Sequence, residues 1–236
     1  STTSPSVSSA YVSAALGADY VNYTPKTSWK VGAEVSANKY LKSSAGNNGV
    51  YYNGRLNLAL NHRLNERTRY VQNSYVSYGI EPDYSFSFTP DRAPSEHLFY
   101  STDHAIGHRW TARLGTYTGF TVSGVYYNGG DKTNNRKSFS FYNNFRYATG
   151  PNTTMTANLS YGKTEASGSA GDSTDITGSI GIEHKLSRNS YVNAQIGATH
   201  RDVTGGRDNY YTPFFSVSYP ASLTNNARLK TSARYG

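Results

Sequence analysis

The sequence predicts an all-β protein: an antiparallel up-and-down transmembrane β-barrel of about twelve strands, either whole or part of a larger barrel. Three observations carry this. Apolar and polar residues alternate with period 2 along one segment after another, with no sustained helical periodicity. The segments are about twice as long as the roughly 5–6-residue strands of globular sheets. The links between them alternate between short and long along the whole chain. Strands of about 9–11 residues suffice to cross a bilayer, so a meander of them spans a membrane without any apolar helix.

A Ser/Thr-rich segment over residues 1–9 reads as a flexible lead-in to a single barrel domain over 10–236. The candidate strands are 10–23, 28–40, 50–62, 69–80, 97–107, 111–127, 137–147, 153–163, 174–186, 190–202, 209–219 and 227–236. On 28–40, Trp29, Val31, Ala33, Val35 and Ala37 share one face, opposite Lys30, Gly32, Glu34, Ser36 and Asn38. On 50–62, Tyr52, Gly54, Leu56, Leu58 and Leu60 oppose Asn53, Arg55, Asn57 and Asn61. On 137–147, Phe139, Phe141, Phe145 and Tyr147 oppose Ser138, Ser140, Asn144 and Arg146. The hairpin 176–202 sets Ile176, Ile180, Ile182, Val192 and Ile196 against Glu183, Asn193, Gln195 and Thr199. Segment 69–80 fits either phase, and Pro213 predicts a bulge or weak pairing within 209–219. The short links are "TPKTS", "LNERT", "GHRW", "TGPNT", "LSRNS" and "ASLTNN". Among the long ones, 81–96 carries an alternating "YSFSF" that reads as an extra strand, an inward-folding loop or a surface loop.

Composition narrows the class. Charged residues are only 16% while aromatics reach 14%, including 22 tyrosines, the reverse of a disordered chain. Without cysteine there is no disulfide framework and no thiolate metal site. The net charge of +8 is spread over strands and turns with no Lys/Arg run longer than two, so nucleic acid is not an expected partner. No stretch approaches the roughly 20 apolar residues of a membrane helix. The chain opens on "STTSPSVSSA" with no initiator Met, and reads as mature, processed or a fragment.

Three arrangements would bury the apolar faces. A soluble sandwich wants shorter strands and larger aliphatic residues than the many Ala and Gly found here. A solenoid wants a fixed repeat, and the hairpin spacing drifts. A membrane barrel points the apolar face at lipid and the polar face at the lumen. Aromatic residues at both ends of the strands predict its two interfacial girdles: Tyr23, Trp29, Tyr147, Tyr191 and Tyr219 near the short turns, and Tyr52, Tyr126, Tyr161 and Tyr211 near the long loops.

The opposite parity then lines the lumen. Its basic candidates are Lys30, Arg55, Arg113, Arg146, Arg228, Lys230 and Arg234; its acidic ones are Asp19, Glu34 and Glu183. Seven against three gives a basic lining, and rings of Arg and Lys favour anions. The competing reading is that these charges pair across strands and plug the lumen, Glu34 with Lys30 or Arg55 for instance.

Hairpins such as "NHRLNERTRYVQNSYVSY", "EHKLSRNSYVNAQIGATHRD" and "SYPASLTNNARLKTSARYG" resemble the β-barrel porin 2 family of Gram-negative outer membranes, over roughly residues 50–236. Against the aromatic final residue typical of such barrels, the chain ends "SARYG": either Tyr235 stands in for it or strands are missing. The resemblance implies an outer-membrane location and contact with lipid. Together these readings predict a porin-like channel for passive diffusion of small solutes, with a mild anion preference and no cofactor. Oligomerisation is left open. A structural or accessory barrel, as a plugged scaffold or a surface-loop binder, is the second reading. A barrel enzyme is the third. None of the six histidines lies in a metal-binding helix motif, and alternation sets Asp103 and His104 on opposite faces. No catalytic residue or metal ligand is expected.

Overall fold

The computed structural model describes residues 11–40, 50–79, 96–128, 135–167, 171–187, 190–204, 209–222 and 228–235. The 1–9 lead-in, the "YSFSF" segment and the middle of the "ASLTNN" turn lie outside the described residues. Twelve strands follow one another: β1 (Tyr11–Tyr23), β2 (Thr27–Tyr40), β3 (Val50–Arg63), β4 (Thr68–Gly79), β5 (His97–Arg109), β6 (Leu114–Tyr127), β7 (Arg136–Ala148), β8 (Thr153–Ala166), β9 (Ser173–Lys185), β10 (Tyr191–Val203), β11 (Tyr210–Ser222) and β12 (Arg228–Tyr235). They form one antiparallel sheet in chain order. Among the described residues no pairing joins β1 to β12. The expected all-β up-and-down architecture is therefore present, and among the described residues every strand belongs to this one sheet, which is not the arrangement of a sandwich.

β1 to β11 contain 12–14 residues each. At about 3.3 Å per residue such strands are on the order of 43 Å long, enough to cross a roughly 30 Å hydrocarbon layer at a tilt near 45°. The two faces of the sheet are unequal. Leu16 is 76% exposed and Ile180 64%, whereas Ser77 and Ser179 on the opposite face are 7% and 8% exposed. A flat single sheet would expose both faces alike. Burial of small polar side chains with no other described element above them means that the sheet curls, polar face concave.

The register resolves the ambiguous segment. Tyr70, Gln72, Ser74, Val76 and Tyr78 of β4 share the convex face with Leu56, Leu58 and Leu60 of β3. Val71, Asn73, Tyr75 and Ser77 face inward. The polar convex groups here bond to one another: Ser74 Oγ lies 2.8 Å from Thr102 Oγ1, Thr102 Oγ1 2.9 Å from His104 Nε2, and Tyr70 Oη 2.6 Å from His104 Nδ1. This mutual satisfaction is what lets polar groups stand on an otherwise apolar surface. Two boundary expectations are corrected. β6 starts at Leu114 and not at 111, because the Thr111 hydroxyl accepts the N–H of Leu114 at 2.9 Å and closes a turn there. Pro213 makes no bulge: the β10–β11 register runs unbroken through Ala198↔Pro213. Position 213 lies beyond the described β11–β12 partners.

Glycines on the concave face make room for tyrosines. A Cβ on Gly119 would stand 2.6 Å from the His104 carbonyl oxygen and 2.6 Å from Tyr142 Oη. A Cβ on Gly162 would meet only ordinary contacts at 3.8 Å or more. We expect Gly119→Val to cost about 1–3 kcal/mol by overpacking and Gly162→Ala to be near neutral. Urea midpoints of the detergent-folded protein check this, and equal midpoints for the two variants would contradict the packing described.

Candidate functional site

The concave face carries most of the charge that the strands hold. Lys30 Nζ of β2 lies 2.9 Å from Asp19 of β1, and Arg55 of β3 reaches Glu34 of β2 at 2.5 Å. Arg146 of β7 reaches over β8 to Glu183 of β9 at 3.0 Å. Arg201 of β10 grips Asp175 of β9 with two nitrogens, one of them at 3.1 Å. Three of the basic candidates, Lys30, Arg55 and Arg146, are thus matched one for one by the three acidic candidates. The register puts residues 228, 230 and 234 opposite Ser222, Pro220 and Ser216, on the concave parity. Asp103, also concave, accepts hydrogen bonds from Thr121 Oγ1 at 2.8 Å and Tyr142 Oη at 2.8 Å.

Some sequence-predicted positions move. Arg113 is not a strand residue of the lining; it is the last residue of the β5–β6 turn. Trp29, Tyr52, Tyr126, Tyr147, Tyr161, Tyr211 and Tyr219 stand on the convex face as a girdle requires. Tyr23 and Tyr191 do not. Tyr23 pairs with Ser28 and Tyr191 with Lys185, both of concave parity. Both stand at the short-turn ends of their strands, but the two-residue period puts them on the concave parity.

The short-turn end holds a structure that strand alternation alone did not single out. Four turns close the same way: the N–H of Leu64, Trp110, Thr149 and Leu186 donates to the carbonyl four residues on, at 3.0 Å in each case. Neighbouring hairpins are tied at this rim as well. Arg63 N–H donates to Lys26 O at 2.7 Å, Arg109 N–H to Arg67 O at 2.8 Å, Ala148 N–H to Arg113 O at 2.9 Å and Lys185 N–H to Asn152 O at 2.7 Å. From the β1–β2 turn to the β9–β10 turn the rim is therefore a continuous hydrogen-bonded edge. Read along it, Lys26, Arg63, Arg67, Arg109 and Arg113 occupy consecutive stations. Behind them, Arg69 lies directly opposite Arg63 in the β3–β4 register. These arginines, with Arg146, surround a cavity of about 480 Å3 whose lining includes one acidic residue, Glu66. The signal was present in the sequence as "RLNER" and "RWTAR", two successive turns with the same Arg-x-x-x-Arg spacing.

On the convex side of the same rim, hydroxyls meet histidines in a repeated pair: Thr27 Oγ1 with His62 Nδ1 at 2.7 Å, Thr68 with His108 at 2.9 Å and Thr153 with His184 at 2.8 Å. Asp103 and His104 point to opposite faces and share no hydrogen bond, His104 bonding Tyr70 and Thr102. No group of His, Asp and Glu able to hold a metal occurs among the described residues.

No protein-family model matches the chain, and no curated protein is significantly similar to it. Among solved structures, it is similar to a chain of the RagAB peptide importer in the "closed-closed" state, with a TM-score of 0.49 and 11% sequence identity over 94% of this chain. The match covers 36% of that chain, so this protein spans about a third of its length.

Proposed function

We propose that the protein is an outer-membrane channel through which small solutes diffuse passively, with a mild preference for anions. One observation carries the reading: a single up-and-down sheet whose convex face is apolar and exposed while its concave face is polar and charged. Soluble monomers rarely expose contiguous apolar patches beyond a few hundred Å2, whereas here apolar side chains are exposed on strand after strand, including Leu16, Val35, Leu56, Leu159, Ile180, Ile196 and Phe215. Lipid is the cover that a sheet of this pattern fits. The resemblance of the hairpins to the β-barrel porin 2 family supports the same reading. A plugged accessory barrel is the second reading, favoured by the ion pairs that join strands across the concave face, above all Arg146–Glu183 spanning β8.

Planar-bilayer recording separates the two. Discrete conductance steps are expected; their absence from folded protein would overturn the channel and leave the accessory barrel. Heat-dependent migration on an SDS gel reports that the barrel is folded. Replacing Arg228, Lys230 and Arg234 with Gln together is expected to move the reversal potential toward cation selectivity. An unchanged potential would mean that these positions do not line the path.

A further inference from the structure

The geometry points to a binding site for a compact polyanion, a small solute bearing two or more phosphate groups, at the short-turn mouth of the concave face. Arg63, Arg67, Arg69, Arg109 and Arg113 line one cavity of about 480 Å3, within the roughly 300–1,000 Å3 range of small-ligand sites. None of the five forms an ion pair with a carboxylate among the described residues. Elsewhere on the concave face Lys30, Arg55 and Arg201 each hold an acid, as does Arg146 at the cavity's edge. Like charges directly opposite in a sheet destabilise it, and Arg63 faces Arg69 with no ion-pair partner for either among the described residues, Glu66 being the one acid on the cavity's lining. A bound anion would relieve that repulsion.

The backbone that carries the turn arginines is also held in place. The carbonyl of Arg67 is fixed to Arg109 N–H, and that of Arg113 to Ala148 N–H. Asn65 Oδ1 accepts the N–H of Arg67 at 2.9 Å, and Thr111 Oγ1 that of Arg113 at 3.2 Å. Between them the floor is glycine. The Arg69 stem and the Tyr117 ring lie 3.3 and 3.2 Å from where a Cβ on Gly107 would be, and a Cβ on Gly115 would meet only the His108 carbonyl. Planar guanidinium forks match phosphate oxygens two at a time, and several forks around one cavity favour a ligand with more than one phosphate. Arg63, Arg69 and Arg109 share the concave parity, which favours a free solute over a lipid headgroup on the convex side. The identification of this face with a solute path rests on the channel reading; the binding chemistry does not.

The test is calorimetric titration of inorganic pyrophosphate and inorganic phosphate into the full chain in phosphatidylcholine nanodiscs. One pyrophosphate per chain is expected, at least tenfold tighter than phosphate and weakening as salt rises. Arg67→Gln, Arg69→Gln and Arg109→Gln combined should weaken it tenfold or more. The matching Lys variants should fall between the two, and Arg201→Gln should leave it unchanged. No binding by heat-modifiable, folded protein, or equal binding by the triple Gln variant, overturns the site. Nanodiscs with phosphatidylglycerol distinguish the source of the phosphate: undiminished pyrophosphate affinity supports a free solute, and competition by the lipid overturns it in favour of a headgroup. Bilayer conductance without pyrophosphate binding sinks the site and spares the channel. Binding without conductance sinks the channel and spares the site.

Discussion

Ile180→Arg is expected to cost about 2–4 kcal/mol of folding free energy in a bilayer, the usual penalty for a cation on the lipid face of a barrel near its midplane. Ile180 is in the middle of β9, 64% exposed, with Ala157 and Ile196 as its register partners. That convex row offers a guanidinium no counter-charge and, in a bilayer, no water. Gln195→Arg, one strand over and on the concave face, should cost about 1 kcal/mol or less. Its loss is the Gln195 Nε2 hydrogen bond to Ser179 Oγ at 2.6 Å, worth roughly 0.5–1.5 kcal/mol and offset by a charged head that stays hydrated. Refolding equilibria in lipid measure both. Equal costs would mean that the convex face does not meet hydrocarbon.

The second large effect concerns ion selectivity. Asp19→Asn, Glu34→Gln and Glu183→Gln together remove the partners of Lys30, Arg55 and Arg146 and raise the charge of the concave face by three. A unit charge acts on an ion about 7 Å away in water with roughly 0.6 kcal/mol, close to a threefold change in local concentration. Screening over a Debye length near 8 Å at physiological salt reduces that figure. The anion-to-cation permeability ratio is expected to rise several-fold, most at low salt, while folding stability changes little because solvent-exposed pairs contribute only about 0–1 kcal/mol each. Reversal potentials under a salt gradient check it; an unmoved ratio would show that these pairs do not face the conducting path.

Much of this architecture was legible from the sequence, because period 2 is a local signal. The phases of 28–40, 50–62, 137–147 and the 176–202 hairpin hold throughout, and parity placed Lys30, Arg55, Arg146, Glu34 and Glu183 on one face. What parity cannot show is who meets whom. Arg146 and Glu183 are two strands apart, and their contact depends on the register of β8 between them and on the curl of the sheet. The phase of β4 was hidden because Gln72 and Ser74 are convex, tolerated through bonds to Thr102 and neighbours that lie thirty residues away in the chain. Tyr23 and Tyr191 were misplaced by weighing height over parity. The arginine rim went unread because turns have no period; its regularity appears only when "RLNER" and "RWTAR" are laid side by side.

The station-to-station bonding of the short-turn rim has a consequence for how such a chain can change. Among the described residues each hairpin is fastened by its ladder to the hairpins beside it, and from β1 to β10 by one backbone bond at the rim as well. A duplicated or deleted hairpin would therefore leave every other register intact, with only the concave contacts between neighbouring hairpins, such as Tyr142 with Asp103, to repack. Because barrel diameter grows roughly linearly with strand number, bore can be altered in single genetic steps, and a cationic arc built from a repeated turn can be lengthened or shortened in the same stroke.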